Sequence, residues 1–317
     1  MQAIARSPGS CGELLQGTLS GTNFLVTCPI DIFSEVKVTI TDNPTVKVSG
    51  EGHEKVREAV RLALQLCNLT SKGAIVEINS QIPRGKGMAS STADIVAAIA
   101  ALSRAAEQVI SPRQLADLAL QIEPSDGIMF SGIALFDHVQ GKMLEIIGPA
   151  PDMDLVIVDL GGEVDTREFN QREELPALNK ENEPEIKRAL AMLKRGFSTG
   201  NRQLIAKAAT ISAFANQKIL YKEKLPEIHN LAVTMGALGI NVAHSGTVVG
   251  LLFDPISDKT HLDQKIKSLL DKECIINHRK MVNGGVEVLT GERSEPLWEK
   301  YNMFMGETYG RQQKSMV

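Results

Sequence analysis

Cysteine is scarce in this 317-residue chain, and its four copies, Cys11, Cys28, Cys67 and Cys274, include no CxxC pair. Their spacing matches no zinc template, so reduced thiols in a reducing compartment are expected. Aromatic residues make up only 4% of the chain, with a single Trp, so no stacking platform for nucleic-acid bases is suggested. Neither sign of charge dominates. A net charge of −4 argues against a general nucleic-acid binder. Long apolar runs are missing too: the longest, Ile95 to Leu102, falls far short of the roughly 20 residues that span a bilayer. The N-terminus has no basic segment followed by an apolar core, so no signal peptide is read and a cytoplasmic protein without a membrane partner is expected. Two nucleotide signatures are absent. No G-x-x-x-x-G-K-[ST] occurs, and Gly85-Lys86-Gly87 lacks the third glycine and the βαβ setting of a dinucleotide site.

What is present is a globular composition, 43% hydrophobic and 23% charged, with length enough for one large or two ordinary domains. Alternation predicts strands over 34–41 and 74–79, with shorter ones at 3–6, 24–27 and 45–48. Residues 7–17 are dense in turn formers yet carry a buried-looking Leu14-Leu15 pair. Three-to-four spacing predicts a helix over 54–67, another over 93–109, and a third from the Ser111-Pro112 start to about Ile122. A hairpin is expected from 128–137 and 142–147 across Gln140-Gly141. Gly148-Pro149-Ala150-Pro151 is the best boundary, dividing residues 1–150 from 151–317. Beyond it, strands at 154–159, 238–244, 248–253 and 286–289 alternate with helices at 183–194, 199–212, 225–235 and 258–270, which suggests an α+β layer. Trp298, Tyr301, Phe304 and Tyr309 are expected to pack onto the body.

The stretch Pro83-Arg84-Gly85-Lys86-Gly87-Met88-Ala89-Ser90-Ser91-Thr92-Ala93-Asp94 leads from a strand into an alanine-rich helix. Glycine lets the backbone approach a bulky ligand. Ser90, Ser91 and Thr92 can cap the helix, and its first amides point outward. Free N–H groups, the positive helix end and the Lys86 charge together suit a phosphate group.

These residues resemble the P-x-x-x-G-[LM]-x-S-S-x-A phosphate loop of the GHMP kinases, which include galactokinases, homoserine kinases and mevalonate kinases. Ser7-Pro8-Gly9-Ser10-Cys11-Gly12-Glu13-Leu14-Leu15-Gln16-Gly17 resembles the family's N-terminal substrate motif, and Ala243-His244-Ser245-Gly246-Thr247-Val248-Val249-Gly250 its glycine-rich third motif. Within the family, the wording of the first two motifs is most similar to the L-threonine kinases of cobalamin biosynthesis. The resemblance implies a ribosomal-protein-S5-like N-terminal domain and a ferredoxin-like C-terminal domain, with ATP between them. Residues 83–92 would wrap the phosphates, and Ser90 or Ser91 would reach Mg²⁺. Such a loop fits phosphoryl transfer, which needs charge neutralisation and in-line positioning more than covalent help.

Glu123 and Asp126 follow the next helix. Magnesium takes hard oxygen ligands, which Glu123 offers. Asp126 is placed to orient the acceptor hydroxyl or accept its proton, and with Lys86 forms the expected catalytic pair. The plainer alternatives are a solvated helix end for Glu123 and an Asx-turn for Asp126. Glu13 either contacts substrate or braces the loop. An amino-acid acceptor carries an ammonium, which Asp31 can pair, and a carboxylate, for which Arg6, Arg84 and Arg167 are candidates. Ser245 and Gly246 either close over the nucleotide or shape the acceptor pocket, and His244 reads as a loop residue near the cleft. Asp94 stands where many family members have a small residue. It either faces away or meets metal or ammonium. The expected activity is transfer of a phosphoryl group from ATP to L-threonine. The rivals are another small hydroxyl substrate such as homoserine, and a silent GHMP-fold sensor.

Overall fold

The computed structural model describes residues 1–162, 164, 172–271, 274–289 and the backbone of 290 and 293–296. Its frame is one sheet in the order β10-β7-β9-β8-β1-β2-β4-β3. The first two strands dominate it: β1 (Gln2–Leu19) and β2 (Thr22–Thr41) form a long antiparallel hairpin. The turn-rich segment 7–17 therefore belongs to a strand, not to a loop. Its turn residues mark irregularities instead. The register shifts between Pro8 and Gly9, between Ser10 and Glu13, and between Glu13 and Leu15. Such bulges bend a strand and re-aim its side chains.

The flank made of β2, β4 (Gly73–Ser80) and β3 (Val46–Val48) is covered by α1 (Glu54–Leu66), α2 (Ser90–Ala105) and α3 (Pro112–Leu120). Strand alternation is the cause: Val36 and Val38 of β2 face the helices with Ala74 and Val76 of β4. Helix α2 is buried on nearly all sides, with Ile95, Ile99 and Leu102 fully enclosed. Each contributes about 1.5–3 kcal/mol from lost water contact. A helix so enclosed cannot drift, and its first turn is held still. In α3, Ser111 accepts from the Gln114 N–H while Gln114 reaches back to the Ser111 N–H, the expected start in full. The hairpin after it pairs β5 (Ile133–Phe136) with β6 (Leu144–Gly148).

The other flank holds β7 (Asp154–Asp159), β9 (Val248–Phe253), β8 (Gly239–Val242) and β10 (Ile275–Lys280). In β7, Leu155 and Ile157 face α4 (Leu175–Thr199) and α5 (Arg202–Ala215), while Val156 and Val158 face α6 (Leu225–Thr234) and α7 (Leu262–Leu270). Gly200, in the left-handed conformation, ends α4 one residue after Thr199, so the helix expected to start there begins at Arg202 under an Asn201 cap. The flanks join where Glu13 of β1 pairs with Val242 of β8. Strand β11 (Glu287–Thr290) returns to pair with β1 at Ile4 to Arg6 and then with β12 (Arg293–Pro296). The tail aromatics Trp298, Tyr301, Phe304 and Tyr309 lie outside the described residues.

Candidate active site

The bulged middle of β1, the loop before α2, the turn after α3 and the β8–β9 turn converge on one cavity of ≈ 560 Å³. The loop reaches it through close backbone packing. The Ser10 N–H donates to Met88 O at 3.0 Å, and the Thr247 N–H to Lys86 O at 3.1 Å. Glycine is required at both faces of that contact. A Cβ on Gly246 would stand 2.2 Å from Lys86 O, and one on Gly87, whose φ is +75°, would stand 2.5 Å from the Ala243 Cβ. The β8–β9 turn is thus a backstop for the loop before α2.

Helix α2 does not begin as expected. Ala89 occupies the N-cap in the left-handed conformation with no side-chain cap, and Ser90, Ser91 and Thr92 form the first turn. A Ser or Thr cap would occupy the amides; without one they remain available to an anion. The three hydroxyls are free for other partners. Ser91 donates to Glu123 Oε1, and Lys55, in the first turn of α1, donates to Glu123 Oε2. Thr92 Oγ1 accepts from the Asp126 N–H at 3.3 Å and donates to Asp126 Oδ2 at 3.4 Å. Two consecutive helix residues therefore hold the two carboxylates that follow α3.

Those carboxylates sit in unequal settings. Burial pushes the Asp126 carboxyl up to about 6, reinforced by the nearby Glu123 charge and opposed by the Thr92 hydroxyl. Burial pushes Glu13 well above the usual carboxylate range, and Asp126 adds to that push. The His244 N–H, 2.5 Å from Glu13 Oε2, and the charge of Lys222 act against it. Lys222 is itself buried. Its ammonium donates to Ala243 O at 3.1 Å and Gly246 O at 3.0 Å, and desolvation lowers it to about 8. Behind Glu13, His244 Nδ1 lies 2.7 Å from Gln16 Oε1, and the His138 ring meets that of His244 edge-on at 5.4 Å.

Of the residues singled out in the sequence, Arg84, Gly85, Gly87, Met88, Ala89, Ser90, Ser91, Thr92, Asp94, Glu123, Asp126, Glu13, His244 and Ser245 line the cavity. Gly246 stands just behind it. Others stand elsewhere. Lys86 turns its ammonium to Asp159 Oδ2, 3.1 Å away, and to Gly162 O at 2.6 Å, on the far side of the loop. Asp31 is exposed and accepts from the Lys280 N–H at 2.8 Å. Arg6 is committed to Glu287 at 2.8 Å and lies over the Phe33 ring. Arg167 lies outside the described residues. Asp94, by contrast, is in the cavity wall: it is mostly buried, accepts from Ser34 Oγ at 2.5 Å and has Arg84 3.9 Å away, and burial raises its carboxyl. Arg84 also meets the His53 ring at 3.0 Å. Lys55, His53, His138 and Lys222 were not singled out in the sequence. Lys55 and His53 sit at the start of an ordinary amphipathic helix, and His138 and Lys222 belong to no motif.

Comparison with known proteins places this geometry. Residues 54–134, from α1 through β5, match the family described as GHMP kinases N terminal domain. The L-threonine kinase of Salmonella typhimurium is 33% identical over 294 residues, covering 90% of this chain and 95% of that one. Among solved structures, homoserine kinase from Cytophaga hutchinsonii superposes with a TM-score of 0.68 at 16% identity, over 91% of this chain and 97% of that one. A structure described as MDDEF in complex with MVAPP, AMPPCP and magnesium gives 0.68 at 16%, over 91% and 99%. An uncapped helix start beside two seated carboxylates, in a chain this similar to a kinase along nearly its whole length, identifies a member of the GHMP kinases, a phosphotransferase with an alcohol group as acceptor.

Proposed function

We propose that the chain transfers the γ-phosphoryl group of ATP to the hydroxyl of L-threonine, with magnesium, giving O-phospho-L-threonine for adenosylcobalamin biosynthesis in the cytoplasm. The observation that carries it is the Thr92–Asp126 contact. It joins the acceptor's candidate base to the first turn of the helix that receives the phosphates. Identity of 33% to an L-threonine kinase supports the choice of acceptor.

The donor set fits ATP and magnesium. The first amides of α2, uncapped, suit phosphate oxygens. Ser90, Ser91 and Glu123 offer hard oxygens. Among the described residues no group of three or more His, Cys, Asp or Glu gathers to hold a metal unaided. That agrees with a cation that takes one or two protein oxygens and completes its shell on phosphate and water. When bound, magnesium supplies neutralisation of the charge on the phosphates.

The chain's own residues do the rest. Asp126, ionised above about pH 6, orients the acceptor hydroxyl and takes its proton. Glu13 faces the acceptor ammonium. Ser245 shapes the acceptor end, and Gly246 keeps the loops in contact. Lys86, paired with Asp159 of β7, ties the phosphate loop to the second flank and lends it positive charge. Residues 1–150 form the nucleotide-binding unit and 151–317 the second unit. The test is ATP consumption by the purified protein against a panel of amino acids and alcohols. Threonine should be the preferred acceptor. Preference for homoserine would overturn the acceptor assignment, and ATP binding without turnover on any alcohol would favour a sensor.

A further inference from the structure

The acceptor end of the cavity has a shortage. An α-amino acid brings a carboxylate there, yet the groups Glu13 and Asp126 are both acids. The cations have other duties. Arg6 is bound to Glu287, Lys55 to Glu123, Arg84 stands among His53 and Asp94, and the Lys222 ammonium donates to two carbonyls. Among the residues that line the cavity with these acids are His138, His244 and Ser245.

His138 is 6% exposed, and its Nδ1 is sealed from solvent with no hydrogen-bond partner among the described residues. Its position is set from two sides: its carbonyl accepts from the Ser125 N–H at 2.9 Å, beside Asp126, and its ring packs on His244. Desolvation lowers the ring to about 4, so it is neutral at ordinary pH and carries one N–H. Leaving a bare ring nitrogen unpaired is easier than burying an unpaired N–H, because the latter forfeits a strong donor. We therefore assign the proton to Nε2, which makes the ring that lines the cavity a donor.

We infer that His138 is a specificity-determining residue that donates a hydrogen bond to the carboxylate of the amino-acid acceptor. This rests on the proposed function. It explains how a site walled by two carboxylates accepts a third: the ammonium answers the acids, and an uncharged donor receives the carboxylate. Such a site selects an amino acid over the amino alcohol that lacks the carboxyl group.

The test compares L-threonine with 1-aminopropan-2-ol, by calorimetric titration with a non-hydrolysable ATP analogue present. His138→Phe keeps the ring and its contact with His244 but removes the donor. His138→Gln places an amide N–H near the position of Nε2. For the unaltered protein, threonine should bind more tightly than the amino alcohol. In His138→Phe, threonine affinity should fall roughly tenfold to a hundredfold, the range for a hydrogen bond to a charged group. Amino-alcohol affinity should stay unchanged, and His138→Gln should recover much of the loss. Equal loss for both ligands, or none for either, overturns the assignment. If the unaltered protein phosphorylates no hydroxy amino acid at all, the proposed function fails first, and the unaltered protein alone shows it.

Discussion

Asp126→Asn should make the protein more stable and nearly inactive, and the two effects come from one cause. The folded environment moves the Asp126 carboxyl from 3.8 to about 6, chiefly by burial and then by Glu123. That displacement corresponds to about 3 kcal/mol. The side chain is only half-buried at the cavity wall, and water there screens part of it, leaving about 1–2 kcal/mol. The sign follows from which state ionises first. Well below pH 4 both states hold the proton, and no stability is lost. Between about pH 4 and 6 the unfolded chain releases its proton while the folded one resists, so stability declines. Above about pH 6 the deficit is constant. Asparagine carries none of it. At pH 8 the variant should therefore melt about 2–4 °C higher, on the basis of roughly 2 °C per kcal/mol for a chain of this size. Near pH 4 the gain should vanish. Turnover should drop by roughly a hundredfold to ten-thousandfold, the usual share of a positioned base, with ATP affinity little changed. Differential scanning at both pH values and steady-state kinetics check this. A gain equal at both pH values would assign the effect to packing, and undiminished turnover would remove Asp126 from the chemistry.

In the unaltered protein, kcat/KM should decline below about pH 6 as Asp126 takes up its proton, and a pH–rate profile should show that limb shifted or lost in Asp126→Asn. Glu13→Gln keeps an acceptor for the His244 N–H but deletes the acid proposed to face the ammonium. Threonine KM should rise roughly tenfold or more, with ATP KM steady; the reverse pattern would make Glu13 a loop brace. Glu123→Gln weakens the proposed hard oxygen ligand, and a magnesium titration should require about tenfold more metal for half-maximal rate; an unaltered titration would reassign the ligand. Gly246→Ala puts a methyl group into the Lys86 carbonyl, which should lower stability by about 1–3 kcal/mol in urea and slow turnover; wild-type stability would disprove the backstop.

Local chemistry made several parts legible in the sequence. The capping box at Ser111 and the alternation in β2 and β4 read directly because each depends on near neighbours. The loop before α2 read as an anion site from its glycines, hydroxyls and helix start. The capping expectation there failed because Ala89 adopts the left-handed conformation, which moves Ser90 one position into the helix. Residues 7–17 read only as turn-rich, because bulges use the residue types that turns use, and only the pairing partner distinguishes them. Lys86 and Asp31 attract notice by charge and position, yet where their side chains lie is decided by Asp159 and Lys280, distant in the chain. His138 and Lys222 left no pattern, because burial makes each of them unusual, and burial is a tertiary property.

The pairing of β1 with β11 has a consequence for how the chain is made. Ile4 and its partner Leu289 stand at opposite ends of the chain. Synthesis at roughly 5–20 residues per second separates their emergence by about 15–60 s. During that interval β2 can cover one edge of β1, but the other waits for β8 and then β11. The newborn strand thus shows an unpaired edge for most of translation, the kind of surface that invites foreign strands. Pro8, Gly9 and Gly12 lie along that strand. Residues that break pairing elsewhere guard it here, and the irregularities that shape the active site also make β1 a poor template while it waits.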